Sequence, residues 1–277
     1  MNTLIHPTAV IDSRAKLAPD VRVGPLAVIE GPVTIGPGCI INAHAHLIGP
    51  LTMGSGNIVH GTAVLGGWPQ DRKFHDEPSE TIIGDDNVFR EGVTVHRGTG
   101  ANTKTILGAR CYLMVNSHVG HNCIVGDDVT LTNGSLLGGH VHVGDRAIVG
   151  ANSAIHQFCR LGRLSMISNN AGYNVDVPPF FTGMTTNHIT QLNVVGLRRS
   201  GMSPESINAL RKVFQLLRAK RQVRAILNDL PAELTAISEV REWVEFCRAS
   251  KRGVAVFQPW SERGAVPVGT DQDPSNS

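Results

Sequence analysis

Residues 119–150 read VGHNCIVGDDVTLTNGSLLGGHVHVGDRAIVG, and this segment alone indicates the architecture. An aliphatic residue recurs in it every six positions, and a small residue lies four positions after each aliphatic one. An α-helix, with about 3.6 residues per turn, does not match a period of six, whereas a short strand followed by a turn does. Because residues an even number apart on an extended segment point to the same side, both positions face one interior.

The same phase holds from Ile5 to Ile167, and it is interrupted at 66–82 and at 98–105. Gly, Asp and Asn recur between the apolar positions, and we interpret them as turn residues because their backbones tolerate turn angles. Three repeats make one triangular coil, so residues roughly 18 apart stack on coils about 4.8 Å apart. The pattern predicts a parallel β-helix over residues 1–192, with both interruptions as loops that leave the coil.

A change of pattern after the β-helix predicts a helical C-terminal domain over residues 193–253. Ser203 and Pro204 are typical of a helix N-cap and first position, and apolar residues follow them at helical spacing. A second helix is predicted to begin near Pro231, and residues 254–277 are predicted to form a disordered tail. The expected fold class is all-β with a helical C-terminus.

Composition excludes several classes of protein. Charged residues are 17% of the 277 residues, against about 25% in an average soluble protein. Lys plus Arg (25) nearly equal Asp plus Glu (23), and this balance is untypical of a general nucleic-acid binder. No apolar run approaches the roughly 18 residues of a membrane span, and no signal-peptide pattern is present, so we expect a cytoplasmic protein without stable membrane insertion. The cysteines lack a CxxC spacing, which argues against a zinc site or disulfides. Four of them fall at the small inward position: Cys39, Cys111, Cys123 and Cys159.

One outward edge of the predicted coil collects polar side chains, namely those of His118, His121, His140, His156 and Gln157. The stacking of successive coils also places His121 under Gly139 and Asn122 under His140. A neutral histidine can take a proton from a hydroxyl or amine that attacks a carbonyl, and a backbone N–H such as that of Gly139 can stabilise the oxyanion. We favour general-base catalysis; a metal site and a plain polar surface remain as alternatives.

Longer motifs carry a resemblance to a known family. They are IHPTAVI at 5–11, PQDRKFHDEP at 69–78, VTVHRGT at 93–99, NSHVGHNCIVG at 116–126, LLGGHV at 136–141, AIHQFC at 154–159, VPPF at 177–180 and NVVGLRRSGMS at 193–203. Over roughly residues 5–250 the chain resembles the UDP-N-acetylglucosamine O-acyltransferases. The resemblance implies a left-handed coil and a homotrimer with active sites between subunits. It also implies transfer of a (3-hydroxy)acyl chain from the phosphopantetheine arm of acyl carrier protein to the sugar 3-hydroxyl, the first step of lipid A biosynthesis, without a cofactor or metal.

The resemblance also assigns roles to individual residues. His121 matches the general base and the Gly139 amide the oxyanion donor, with Asn122 beside the base. The expected substrate contacts are Gln70, Asp71, Lys73, His118, His140, His156 and Gln157, with Asn193 and Arg199 reaching the nucleotide from a neighbouring subunit. Asn169 matches a position in the acyl-chain pocket.

The chain departs from the family pattern at three places. Asn122 stands where the family usually has Asp, and Asn169 replaces a small residue. The family motif that usually reads Arg-Arg or Lys-Arg-Arg after an acid has Val195 and Leu197-Arg198-Arg199-Ser200 here. An amide can orient an imidazole but cannot neutralise an imidazolium as a carboxylate does. These departures leave open an N-acyltransferase that acts on a 3-amino sugar nucleotide. A trimeric β-helix that binds a metal or a ligand without catalysis is a second alternative.

The first predicted helix and its end carry cations without an intervening acid: Arg211, Lys212, Arg218, Lys220, Arg221 and Arg224. Such a run is often only a solvated face. Because acyl carrier protein is acidic, we interpret these residues as a docking strip for the donor.

Overall fold

The computed structural model describes residues 4–220 and 223–258. Short strands wind into a β-helix with three faces, and each face is one sheet. Sheet 1 contains Leu4–Ile5, Arg22–Val23, Ile40–Ile41, Ile58–Val59, Val88–Phe89, Tyr112–Leu113, Thr130–Leu131, Ile148–Val149, Met166–Ile167, Phe181–Thr185, His188–Leu192 and Val256–Phe257. Sheet 2 contains Val10–Ile11, Val28–Glu30, His46–Ile48, Val64–Gly67, Thr94–His96, His118–Val119, Leu136–Leu137, Ala154–Ile155 and Gly172–Tyr173. Sheet 3 contains Lys16–Leu17, Val33–Ile35, Leu51–Met53, Ser79–Ile83, Thr103–Leu107, Ile124–Val125, His142–Val143 and Arg160–Leu161.

The stacking register on the uninterrupted coils is the one predicted from three repeats per coil, as in the pairing of Ile124 with His142. Across the first interruption the spacing becomes 30, from Ile58 to Val88, and across the second it becomes 24, from Val88 to Tyr112. Each insertion is therefore a whole number of repeats, so the phase of the core is kept. The loops are shorter than the predicted 66–82 and 98–105, because the flanking residues extend strands of sheets 2 and 3. The first loop is 68–78 and the second loop is 97–102.

The interior is filled by the two apolar positions of each repeat. The four cysteines predicted to face inward are buried, which confirms that interpretation. The role of the recurrent glycine is different from the one predicted. A Cβ on Gly108 would lie 2.7 Å from the backbone of Gly126 on the next coil, so this glycine permits close stacking. The left-handed backbone conformation occurs two residues later in the repeat, as at Asn122, His140 and Phe158.

The β-helix ends in an antiparallel hairpin, Phe181–Thr185 with His188–Leu192, and the helices follow it. They are α1 (Val194–Arg199), α2 (Pro204–Lys220), α3 (Val223–Asp229), α4 (Ala232–Thr235) and α5 (Ser238–Arg248). The predicted start of α2 is confirmed, because the Ser206 N–H donates to Ser203 Oγ at 3.1 Å. The helix predicted near Pro231 is two helices, α4 and α5, and α1 and α3 were not predicted.

The tail prediction is wrong for residues 254–258. Ala255 is buried, and Val256–Phe257 pairs with His188–Leu192 of the hairpin. The hairpin offers a free sheet edge that is created only by folding, so local sequence did not indicate this strand. The remaining residues of the predicted tail, 259–277, lie outside the described residues. None of the helices in the described part of the chain is long and apolar enough to span a membrane.

Candidate active site

A cavity of about 690 Å³ lies at the corner that follows sheet 2. Six of the predicted site residues line it: Gln70, His118, His121, Gly139, His156 and Gln157. They come from the first loop and from three successive coils, so residues far apart in sequence meet at one corner. His142 also belongs to the run of histidines in this part of the sequence, but it lies on sheet 3 and faces another side of the prism.

His121 and Gly139 stack on successive coils, as the repeat predicts. The His140 N–H donates to the His121 carbonyl at 2.9 Å, and the Phe158 N–H donates to the Gly139 carbonyl at 3.0 Å. The His121 ring lies against Gly139, because a Cβ built on that glycine would be only 2.5 Å from His121 Nε2. The absence of a side chain at residue 139 is thus what allows the ring to lie there.

Asn122 determines which nitrogen of His121 carries the proton. The Thr99 N–H donates to Asn122 Oδ1 at 2.9 Å, and Asn122 Nδ2 donates to the Thr99 carbonyl at 3.3 Å, so the amide is oriented by two backbone groups of the second loop. The same Oδ1 lies 2.8 Å from His121 Nδ1. An amide oxygen only accepts, so Nδ1 must donate. In the neutral ring Nε2 therefore keeps its lone pair and can act as a base.

The Gly139 N–H is available to a ligand. Within the residues that the structure describes, it has no hydrogen-bond acceptor. Equivalent N–H groups at another corner are occupied: that of Ala109 donates to Asp127 Oδ1, and that of Asp127 donates to Asp145 Oδ1, both at 2.9 Å. An unoccupied N–H next to a basic nitrogen is the pair of groups that acyl transfer requires.

Two further histidines are kept neutral by their surroundings. Burial, followed by the charge of His121, lowers the pKa of His118, whose Nδ1 lies 2.7 Å from Thr94 Oγ1. Burial, followed by the charges of His118 and His121, lowers the pKa of His96 to about 4. His96 lines the cavity but was not among the predicted site residues. Counting whole repeats across the second loop, from His96 to Gly120, would have placed it there.

His140 and the first loop close the site on one side. The His140 ring is edge-on to that of His121, with centroids 5.2 Å apart, and stacks on Phe158 at 4.6 Å. Its pKa is lowered mainly by burial, while the Asp71 carboxylate acts in the opposite direction. Asp71 therefore lies within electrostatic range of His140, and its contact with the substrate stays a prediction. Lys73 is exposed on the same loop, and its N–H donates to Asp71 Oδ1 at 2.9 Å.

A further contact at the site is made by a residue that was not predicted to belong to it. Arg252, which follows α5, has an Nη2 3.2 Å from His156 Nδ1, and the same nitrogen donates to the Asn174 carbonyl at 2.9 Å. The C-terminal segment thus reaches the site through Arg252. Nothing in the local sequence around residue 252 indicates this contact, because it depends on how the helices return to the β-helix.

Three predicted residues lie away from the His121 corner. Asn193 and Arg199 line a second cavity of about 810 Å³ over sheet 1, together with Arg146. The Asn193 side chain caps α1, accepting from the Gly196 N–H at 3.1 Å and donating to the Leu164 carbonyl at 2.9 Å. Asn169 follows a strand of sheet 1, and its Oδ1 accepts from the Ala151 N–H at 2.8 Å.

The predicted docking strip is solvent-facing where it can be described. Its exposed members are Arg211, Lys212, Arg218 and Arg224. Lys220 closes α2, although its side chain is not among those described, and Arg221 lies outside the described residues. As for the metal-site alternative, no three His, Cys, Asp or Glu side chains group closely enough to hold an ion within residues 4–220 and 223–258.

Comparisons with known proteins address the family. A family model described as UDP-N-acetylglucosamine O-acyltransferase, domain 2, matches residues 176–255, and one described as bacterial transferase hexapeptide (six repeats) matches residues 14–49 and 104–139. The chain is 48% identical over 257 residues to an acyl-[acyl-carrier-protein]–UDP-N-acetylglucosamine O-acyltransferase of Alkalilimnicola ehrlichii, covering 91% of this chain and 99% of that protein. The chain belongs to the UDP-N-acetylglucosamine O-acyltransferase family. A second family member, from Stutzerimonas stutzeri, is 39% identical over 255 residues, again covering 91% and 99%.

Solved structures of the family have the same architecture. The Bacteroides fragilis enzyme is 35% identical with a TM-score of 0.86, over 90% of this chain and 99% of that one. The Francisella novicida enzyme is 30% identical with a TM-score of 0.85, over 93% and 95%. The fold prediction, a left-handed parallel β-helix of hexapeptide repeats with a helical C-terminus, is confirmed, and the chain is an enzyme of this acyltransferase family.

Two departures from the family motif have a visible structural setting. Asn122 takes the orienting position beside the His121 ring. Ser200 closes α1, where its hydroxyl donates to the Leu197 carbonyl at 2.8 Å and is thereby occupied within the chain. Val195, on the same helix, is 60% exposed beside the second cavity.

Proposed function

We propose that this enzyme transfers a (3-hydroxy)acyl chain from acyl carrier protein to the 3-hydroxyl of UDP-N-acetylglucosamine, the first step of lipid A biosynthesis. The names of its relatives supply the donor and the acceptor. The observation that carries the proposal is the apposition of His121 Nε2 and the free Gly139 N–H at one cavity wall. The proposed reaction uses no cofactor, and its cytoplasmic location stays a prediction.

The proposed reaction runs through one tetrahedral intermediate. His121 Nε2 removes the proton of the 3-hydroxyl as its oxygen attacks the thioester carbonyl. The Gly139 N–H donates to the oxyanion, which stabilises the charge as it develops. The C–S bond then breaks, and the imidazolium returns its proton to the phosphopantetheine thiolate. Asn122 holds the ring in the reactive tautomer throughout.

Substrate contacts are proposed for the groups around the cavity. Gln70 and Asp71 approach from the first loop, and His118, His140, His156 and Gln157 from the coils; Lys73, exposed on the first loop, is retained as a proposal for the outer part of the substrate. His96 and His118, kept neutral by burial, can donate or accept hydrogen bonds without adding charge.

A homotrimer is proposed because the expected site is divided between two faces of the chain. His121 lies at the corner after sheet 2, whereas Asn193, Arg199 and Asn169 lie on or after sheet 1. If sheet 1 of one subunit faces the sheet 2 corner of the next, the two cavities join. Arg199 can then pair with the nucleotide phosphates, and Asn169 can reach the acyl-chain pocket.

The general-base role is tested by comparing His121→Ala with His142→Ala. Both residues are on the coil, but His142 lies on sheet 3, away from the cavity, so it is a matched control. We expect the His121 variant to lose about 10²–10⁴-fold in turnover with hydroxyacyl carrier protein and UDP-N-acetylglucosamine, and the control to keep its rate. Unchanged turnover in His121→Ala would remove His121 as the base.

The acceptor is tested by competition between UDP-N-acetylglucosamine and its 3-amino analogue in one assay. The amine alternative is motivated by Asn122 and Ser200, the two departures from the motif of the O-acyltransferases. Mass spectrometry of products formed with a panel of acyl carrier proteins identifies both the acceptor and the acyl chain. A strong preference for the amine would replace the proposed acceptor while leaving the acyltransferase assignment in place.

A further inference from the structure

The first loop (68–78) and the second loop (97–102) leave the coil next to each other, and each serves the site. The first loop carries Gln70 at the cavity and Asp71 near His140. The second loop holds Asn122 through the Thr99 backbone and thereby orients His121. The relative position of the two loops therefore decides whether substrate-binding groups and the base face each other.

Arg97 joins the two loops. It is the first residue of the second loop, and 7% of its side chain is exposed. Its guanidinium pairs with Asp76 of the first loop. The guanidinium carbon also lies 5.1 Å from the ring centre of Phe74 and 5.9 Å from that of Trp68, whose rings meet edge-on at 5.7 Å. One cation thus contacts both ends of the segment that contains Gln70 and Asp71.

Backbone contacts accompany the side chain. The Arg97 N–H donates to the Gly67 carbonyl at 2.9 Å, and the Asn102 N–H donates to the Pro78 carbonyl at 2.6 Å. These two hydrogen bonds tie the bases of the loops, but neither reaches residues 70 and 71. The Arg97 guanidinium is the group that extends the connection toward the tip of the first loop.

The free-energy cost of burying the Arg97 guanidinium is only partly offset by its contacts. Asp76 has 64% of its side chain exposed, so solvent screens the pair, and Arg97 Nε has no hydrogen-bond partner in the described part of the chain. Desolvating a charge costs free energy, and an apolar side chain of similar volume is often as stabilising. The free energy of global unfolding should therefore change little when Arg97 is replaced, whereas the contacts that hold the first loop to Arg97 are lost.

We propose that Arg97 is a positioning residue that locks the first loop against the second, so that Gln70 and Asp71 stay over the His121 cavity. It does not touch the reacting atoms itself. The expected effect of Arg97 on sugar-nucleotide binding rests on the proposed function, whereas its effect on the position of the first loop does not. Loss of Arg97 frees the first loop and weakens sugar-nucleotide binding without removing the base.

The test compares Arg97→Met and Arg97→Lys with Arg90→Met. Arg90 pairs instead with Glu91 and Tyr112 on the coil, so it is a matched control. Arg72 and Lys73 are exposed trypsin sites inside the first loop. Native-state cleavage by trypsin follows the population of the open form of the loop. We expect cleavage at these sites to become roughly tenfold faster in Arg97→Met, because loss of the cation–π contacts and the ion pair raises that population. Arg97→Lys keeps the charge but loses the planar group, and an intermediate rate is expected.

Kinetics provide the second readout. In Arg97→Met the KM for UDP-N-acetylglucosamine should rise roughly tenfold with kcat changed by less than about threefold, and Arg90→Met should match the wild type. If Arg97→Met does not fold, Asp76→Asn removes the ion pair at an exposed position and should shift both readouts in the same direction. The proposal would be overturned if Arg97→Met and Asp76→Asn were cleaved at the wild-type rate. Faster cleavage together with an unchanged KM for UDP-N-acetylglucosamine would also overturn it. Faster cleavage in a chain that never acylates this acceptor would instead contradict the proposed function.

Discussion

Replacing Gly139 with alanine adds one methyl group where the His121 ring lies against the backbone of the next coil. The backbone of Gly139 is not in the left-handed region, so alanine adds no conformational strain. Its N–H also stays in place. The substitution therefore changes the position of the base while leaving the oxyanion donor and the fold intact.

The size of the effect follows from the geometry. The new Cβ would lie 2.5 Å from both Cε1 and Nε2 of His121. Carbon atoms in contact are about 3.5–4.0 Å apart, so the ring must move by about 1 Å. A displacement of about 1 Å at a reacting group can lower the rate about 100-fold, which corresponds to roughly 2.7 kcal/mol of activation free energy.

The assay is kcat/KM for acyl transfer from hydroxyacyl carrier protein to UDP-N-acetylglucosamine, measured together with thermal unfolding. We expect Gly139→Ala to lose about 100-fold in kcat/KM. The midpoint of unfolding should stay close to that of the wild type, because the restriction of the unfolded chain by alanine offsets the cost of displacing the His121 ring. Gly172→Ala is the matched control, since its Cβ would meet nothing closer than Thr186 Oγ1 at 3.8 Å. That variant should keep its activity.

A folded Gly139→Ala variant that keeps kcat/KM within about threefold of the wild type would refute this prediction, because a displacement of about 1 Å should lower it about 100-fold. That result would mean that the ring need not lie against this backbone during catalysis. Equal losses in both glycine variants would also contradict it, because the effect would then come from glycine replacement in the coil and not from the His121 contact.

Three further predictions concern acid sensitivity, a buried ion pair and the donor. His96 is protonated below its ordinary pKa of 6.5 in the unfolded chain, but only near pH 4 in the folded chain. Lowering the pH from 6.5 to 4 should therefore reduce the free energy of unfolding by about 3 kcal/mol through this group. His96→Gln should remove that loss. Arg160→Met leaves Asp176, 1% exposed, without its partner at 2.8 Å and should destabilise the protein by about 3 kcal/mol in urea unfolding. Arg211→Glu with Lys212→Glu should raise the KM for acyl carrier protein about tenfold and weaken its salt dependence.

Each of these predictions has a control and a contradicting result. For His96, the urea midpoints of the wild type and of His96→Gln are compared between pH 4 and 7. The same dependence on pH in both proteins would show that the ring does not titrate as described. Arg163→Met removes a half-buried ion pair with Glu242 of α5 and should lower the free energy of unfolding by no more than about 1 kcal/mol. An equal loss in both variants would contradict the role of burial. For the strip, Lys16→Glu on the first coil is the control, and an unchanged KM for the carrier in the double variant would exclude docking there.

Contacts in the site could be predicted from the sequence where distance along the chain translates directly into distance in space. Because uninterrupted coils all have the same length, the stacking of His121 on Gly139 could be read from residue numbers alone, and the structure bears it out. Contacts across the loops were not predicted, because the inserted residues change the spacing to 30 and 24. His96 was left out of the predicted site for this reason.

The sequence by itself determined the repeat, the identity of the inward residues and the corner at which His121 meets Gly139, because each depends on a period of six that every coil obeys. Only the tertiary structure decided the tautomer of His121, the seat of Arg97 between the two loops, the approach of Arg252 to His156 and the strand at Val256–Phe257. These contacts join segments whose separation is set by loop paths and by the return of the helices. Their free energy depends on edges and pockets that exist only once the coil has formed, and no local pattern records them.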